Sequence, residues 1–176
     1  TEKLALWLTG NIRQGNWARS EEAATIYDLK AIVANIFARL GISTREIMLT
    51  DGNEEIYSAS INIATRAGKQ LGAMGIVAKA ILKKADIKQE VLFAELDWNA
   101  IVKLSLKKKV TFAPLPKTQP VKRDLALLID KAVTMAQIEA VVRESERKLL
   151  KDVTLFDVYE GKNLPEGKKS YAIAMT

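Results

Sequence analysis

The chain has 176 residues, with 27 basic against 21 acidic side chains and a formal net charge of +6, and its sequence pI is near 9.4. It contains neither cysteine nor histidine, which excludes disulfides, thiolate chemistry, Ser-His-Asp catalysis and the usual zinc ligand sets. With 48% hydrophobic and 27% charged residues it reads as one ordinary globular domain or two small ones, its basic balance admits contact with phosphates, and no apolar run reaches the roughly 20 residues of a membrane helix.

Residues 3–9 (KLALWLT) are largely apolar at both alternating sets of positions, which predicts a central strand covered on both faces. Gly10-Asn11 and Gly15-Asn16 supply turn chemistry around a short second strand or bend. From Ile26 the apolar positions Leu29, Ile32, Val33, Ile36, Phe37 and Leu40 recur in steps of three and four. They predict an amphipathic helix, with Gly41 placed to end it in a left-handed conformation. The stripe faces either the chain's own sheet or a partner. Strands are expected over 46–50, 58–64 and 69–77, punctuated by Asp51-Gly52 and Ala67-Gly68. A short basic helix over 78–85, a strand over 91–98 and a helical turn over 99–106 lead into Lys107, Lys108 and Lys109. Several antiparallel strands with few helices argue an α+β sheet rather than a doubly wound parallel one.

Three of the four prolines, Pro114, Pro116 and Pro120, fall within seven residues. Each fixes φ, removes a donor and biases its predecessor toward extended backbone, so this stretch is an extended connector. The expected domains are 1–113 and 120–176, with 114–119 as linker. After it, Arg123-Asp124 opens a buried strand over 125–129. Thr134 with Gln137 fits a capping box for a helix bearing Ile138, Val141 and Val142 and running to Lys148. Strands over 153–159 and 170–175 follow, joined by a loop carrying Gly161, Pro165 and Gly167. The order β-α-β-β is the first two-thirds of a ferredoxin-like β-α-β-β-α-β unit, so the second domain is expected to be incomplete and the chain a fragment.

These residues resemble a known family. Trp17, YDLK at 27–30 and the Leu40-Gly41 helix end are similar to the W…FDLKG…LG pattern of the phenylalanine–tRNA ligase beta subunit, with Ala31 where the family has Gly. LGAMGIV at 71–77, with Val77-Ala78 where the family frequently has His-Pro, and AELD at 94–97 resemble two further segments. PVKRDLALLI at 120–129, LFDVYEG at 155–161 and GKKSYA at 167–172 resemble the start and the strand pair of its anticodon-binding domain. The resemblance implies a non-catalytic module folded like a class II synthetase core, then most of a ferredoxin-fold anticodon-binding domain. It also implies a cytoplasmic ligase that uses ATP and magnesium, a separate alpha subunit in a heterotetramer, and tRNA(Phe) as partner. In the family the chemistry takes place on the alpha subunit and editing upstream of this region. The sequence agrees that this piece is catalytically silent, since Arg45-Glu46 and Arg66 stand isolated and no Gly-rich segment carries an arginine into a helix start.

The candidate RNA-binding residues are Lys122, Arg123, Lys168 and Lys169. A guanidinium at a domain entrance can stack on a base or grip a phosphate, and an internal ion pair is the competing structural reading. The run Lys107, Lys108 and Lys109 and loop residue Lys162 offer sequence-independent phosphate contact or solvation alone. Leu29, Ile32, Val33, Ile36 and Phe37 are the candidate subunit interface, with plain core as the competing reading. Asp97, Asp124 and Asp157 are expected to satisfy nearby donors rather than hold a metal. Tyr159 and Tyr171 are expected to pack rather than stack on bases. No cofactor is expected in this piece. A freestanding ferredoxin-like binding or regulatory module on a synthetase-like scaffold is the alternative function.

Overall fold

The structure is a computed structural model describing residues 2–108, 112, 114–115 and 117–176. It divides into two compact units, Thr1–Thr111 and Phe112–Thr176. The expected linker 114–119 falls at the start of the second unit, and Lys109, Val110, Ala113 and Pro116 lie outside the described residues.

In the first unit five strands form one antiparallel sheet in the order β1-β7-β6-β5-β4. They are β1 (Lys3–Thr9), β4 (Ile47–Gly52), β5 (Tyr57–Thr65), β6 (Gln70–Val77) and β7 (Val91–Asp97), while β2 (Asn11–Arg13) and β3 (Glu22–Ala23) pair as a separate ribbon. Helix α1 (Ile26–Arg39) starts at Thr25. Asp28 reaches back to accept from the Thr25 hydroxyl at 2.6 Å and from its N–H at 2.7 Å, which hold its carboxyl below the usual carboxylate range. The helix stops where Gly41 adopts φ +72°, a conformation that costs a residue with a Cβ. Its buried positions Leu29, Val33 and Phe37 pack with Ile63, Met74, Leu92, Leu96 and Ile101 into the main core.

Strand alternation sends Leu92, Ala94 and Leu96 of β7 into that core and Val91 and Phe93 to the opposite face. On this second face Phe93 lies between Trp7, with ring centroids 4.0 Å apart, and Tyr57, at 6.1 Å. Tyr57 reaches Phe93 across Gly75 of β6. A Cβ at that glycine would sit 2.8 Å from the Tyr57 ring and 2.3 Å from the Ala59 carbonyl oxygen. Leu82 of the short helix α2 (Lys79–Lys84) closes this smaller cluster. Helix α3 (Trp98–Ser105) follows β7 directly, and the Asp97 carboxylate caps it by accepting from the Ala100 N–H at 2.9 Å.

Two expectations need correction here. β1 is not central: within the described residues it is an outer strand paired only with β7. Leu4, Leu6 and Leu8 reach the core while Trp7 stays 65% exposed. An apolar residue on each face did not signal double coverage, because Trp7 stacks its ring on Phe93 at the edge of the sheet and stays largely exposed. Asp51-Gly52, expected as punctuation, continue β4 to its end opposite Ile61 and Ser60.

The second unit is β8 (Arg123–Asp130), α4 (Met135–Ser145), β9 (Val153–Tyr159) and β10 (Lys168–Met175). Its sheet runs β8-β10-β9 with β10 antiparallel to both neighbours. Ile173 in the middle of β10 is fully buried. Thr134 and Gln137 form the reciprocal cap of α4. The helix ends at Ser145, short of Lys148. There the Glu146 carboxylate accepts from the Lys148 and Leu149 N–H groups at 2.7 and 2.9 Å, turning the chain and holding that carboxyl low. β8 is longer than expected and is not buried, since it too is an outer strand and Leu125 and Leu128 are exposed.

Burial of the Tyr57 hydroxyl, reinforced by the carboxylates of Glu54 and Glu95, pushes it up to about 12 from the value of 10.0 of a free tyrosine. The folded state therefore keeps this phenol neutral where the unfolded chain ionises it. Its contribution is intact below pH 10 and is lost as the pH rises through about 12. Urea midpoints should fall across that window, and Tyr57→Phe should remove this part of the fall. An unchanged alkaline profile in the variant would contradict the burial assigned to the hydroxyl.

Candidate nucleic-acid interface

The four predicted RNA-binding residues do not form one patch. Arg123 opens β8 opposite Met175, whereas Lys168 lies opposite Asp130 at the other end of the same strand. Seven residues of extended chain separate the two ends, roughly 23 Å at 3.3 Å per residue. Alternation also divides them by face. Arg123 and Lys169 fall on the face with Leu127 and Ile173, while Lys122 and Lys168 fall on the one with Ala126 and Ala172.

Their environments differ as well. Lys169 is 7% exposed, with its ammonium 4.6 Å from the centroid of the Tyr171 ring, so it is spent on packing and offers RNA little. Lys168 pairs with Asp130 at 2.7 Å. Burial speaks against Lys169 as a contact residue, while Lys168 is a part-exposed cation already engaged by Asp130. Two adjacent lysines on one strand must point to opposite faces, and here one is buried and the other neutralised. Lys122 keeps a 63% exposed side chain, with a loose 3.8 Å approach to Asp124. Arg123 is exposed.

The structure adds a residue that the sequence reading missed. Phe156 is 54% exposed, and the Lys122 ammonium stands 5.6 Å from its ring centroid. The cause is a register shift. Asp157 pairs with Ala172 and Leu155 with Ile173, leaving Phe156 as the extra residue of a bulge in β9. Strict alternation would have set Phe156 and Asp157 on opposite faces, whereas the bulge brings both to the Ala172 side. The only available signal was an aromatic beside an acidic residue in a strand, which also describes ordinary packing. An exposed ring beside a cation is the arrangement on which unpaired bases stack. Tyr159 is 43% exposed, and its ring lies over Gly161, where a Cβ would stand 2.3 Å from the phenolic oxygen. The glycine of LFDVYEG thus makes room for that ring.

In the first unit the proposed interface stripe splits. Leu29, Val33 and Phe37 are 1–3% exposed in the chain's own core, so the interface expectation is corrected for these three: the faces they would offer a partner are already covered. Ile32 is 38% exposed and Ile36 half-buried. Arg45 and Arg66, isolated in sequence, line one cavity of about 250 Å³ with Glu46, Thr65 and Lys108. The Arg66 Nε–H donates to the Arg45 carbonyl, and the Lys108 ammonium pairs with Glu46, whose carboxyl that contact holds below its usual range. Lys107 is exposed, and Lys109 lies outside the described residues. Among the described residues no cluster of three acidic side chains could hold a metal ion, and no helix is long and apolar enough to cross a membrane.

Comparison with known proteins gives this geometry a setting. The family model described as the phenylalanyl tRNA synthetase beta chain CLM domain matches residues 1–98, more than half of the chain. The chain belongs to the phenylalanyl-tRNA synthetase beta chain family. A ferredoxin-fold anticodon binding domain is matched over residues 116–176, the unit that carries Lys122, Arg123 and Phe156. The phenylalanine–tRNA ligase beta subunit of Bacteroides fragilis is 46% identical over 171 residues, 97% of this chain and 21% of that protein. The beta subunit of Porphyromonas gingivalis is 44% identical over 173 residues, and that of Bacillus subtilis 33% over 175. The chain therefore spans about a fifth of the length of the curated relatives it matches.

Truncating a buried residue of α1 should reveal its structural role. Leu29→Ala is expected to cost about 3 kcal/mol in chemical denaturation, with Ile32→Ala costing less than about 1 kcal/mol. Equal costs would contradict the division of the stripe.

Proposed function

We propose that the chain is the part of a phenylalanine–tRNA ligase beta subunit that holds tRNA(Phe) through its anticodon-binding unit and supports assembly with a separate alpha subunit in an α2β2 enzyme. The ligase it serves attaches phenylalanine to tRNA(Phe) with ATP and magnesium in the cytoplasm. One observation carries this reading: a beta-chain module and an anticodon-binding fold follow each other on one chain, and the second presents an exposed ring, Phe156, beside the exposed cation Lys122.

The five-stranded antiparallel sheet backed by α1 and α3 is consistent with a class II synthetase-like core that has become a scaffold. What favours silence in this piece is the use made of its cations. A triphosphate clamp needs cations aimed at the reacting phosphates. Arg66 is turned onto a backbone carbonyl and Lys108 onto Glu46. Adenylation then belongs to the alpha subunit. Ile32 and Ile36, the part of the α1 stripe still reaching the surface, remain its candidates for subunit contact. A freestanding binding or regulatory module gains nothing from the structure, since both matched domains occur together in relatives named as ligase subunits.

The test uses the full-length ligase and tRNA(Phe). The logarithm of affinity should fall linearly with the logarithm of salt concentration. Arg123→Glu and Lys122→Glu should each weaken binding about tenfold and lower the slope by about one. Salt-insensitive binding, or binding unchanged by both substitutions, would overturn the proposal.

A further inference from the structure

A second cavity of the first unit, of about 610 Å³, lies where α2 and the loop after it meet one end of the β5–β6 pair. Its lining carries three ammonium groups, Lys79, Lys83 and Lys88, together with the apolar side chains of Leu82 and Ile87. All three lysines are exposed, and among the described residues none forms an ion pair, although Asp86 and Glu90 line the same cavity. Lys3, Lys108, Lys131 and Lys168, by contrast, each meet a carboxylate. The loop is held in shape by its own backbone. The Ile87 N–H donates to the Leu82 carbonyl at 2.9 Å, and the Asp86 N–H to the Lys83 carbonyl at 3.2 Å. Asp86 takes φ +54°, the one non-glycine residue at positive φ among the described residues. A left-handed turn made without glycine is strained, and such strain collects at binding sites. The turn brings Lys88 to the same cavity as Lys79 and Lys83, which stand one helical turn apart. At the end of the loop the Thr9 hydroxyl donates to the Glu90 carbonyl at 2.7 Å.

We propose that this cavity binds a small phosphorylated molecule, its phosphate held by Lys79, Lys83 and Lys88 and its uncharged body resting on Leu82 and Ile87. The proposal goes beyond tRNA binding and stands or falls independently of the anticodon-binding reading. Three unpaired ammoniums around one space repel one another. A phosphate dianion relieves that repulsion and accepts a charge-assisted hydrogen bond from each. Ile87 is 37% exposed beside them, and a ligand's apolar body would take that surface out of water. The volume falls within the roughly 300–1,000 Å³ of small-molecule sites, which join an apolar lining to a few convergent polar groups. An RNA backbone fits the cavity less well. Its affinity comes from neutralising many phosphates in succession, and Asp86 and Glu90 interrupt the positive lining and would repel a chain of them. The same carboxylates suit a compact ligand, because they accept hydrogen bonds from hydroxyl groups on its body.

The probe is pyridoxal 5′-phosphate on the full-length beta subunit. Its aldehyde condenses with a lysine amine to give an imine and water, and borohydride reduction of the imine fixes the label for peptide mapping. Lys79, Lys83 or Lys88 should be labelled about tenfold faster than Lys30, an exposed lysine of α1. Pyridoxal, which lacks the phosphate, should show no such preference, and millimolar inorganic phosphate should abolish it by competition. Lys83→Gln should slow labelling of Lys79 and Lys88 about tenfold. It should leave the melting temperature unchanged, because the side chain it replaces is exposed. Equal labelling of Lys30 and the cavity lysines, or equal preference with pyridoxal, overturns the proposal. Protection by tRNA(Phe) but not by inorganic phosphate would give these lysines to the RNA backbone and overturn it as well. Cavity lysines that stay unlabelled while Lys30 reacts would be covered by the rest of the subunit, which also overturns it.

Discussion

The first unit depends on its central strands, β7 foremost, being buried on both faces. β7 supplies Leu92, Ala94 and Leu96 to the core beneath α1 and α3, and Val91 and Phe93 to the cluster on the other side. Its last residue, Asp97, caps the helix that follows. That demand shapes the neighbours. β6 keeps glycine at position 75, where any side chain would strike the Ala59 carbonyl or the Tyr57 ring. β1 then needs only one apolar face, and its Trp7 closes the aromatic stack.

The elements legible in the sequence were those whose signals are local. The three- and four-residue steps of α1, the Thr134–Gln137 cap and the span of β9 each follow from neighbours within one turn or one strand, and each appears at or near its expected bounds. What escaped was strand order. An outer strand and a central strand can carry the same residues, so β1 and β8 read as buried although each is paired on one side only. The α1 stripe illustrates the same limit. Its period shows that it faces something apolar, but only the assembled sheet shows that Leu29, Val33 and Phe37 are already covered by their own unit.

The candidate interface was partly legible for a related reason. Arg123 and Lys122 stand out because they follow prolines and precede an apolar strand, and both are exposed where the strand begins. Lys168 and Lys169 looked equivalent as letters. Alternation separates them, and partners decide the rest: Asp130 takes one, and the Tyr171 ring covers the other. Phe156 needed the bulge against β10, a property of the strand pair that no single segment encodes. An exposed ring with a cation over it fits contact with an unpaired base and its phosphate better than any chemistry of bond making.

The most direct measurement is site-specific photo-crosslinking with a benzophenone amino acid at position 156 of the full-length ligase bound to tRNA(Phe). An adduct confined to the anticodon stem-loop is the predicted result. Absence of any tRNA adduct, in an enzyme that still binds and aminoacylates tRNA(Phe), would contradict the assignment of this sheet face to RNA.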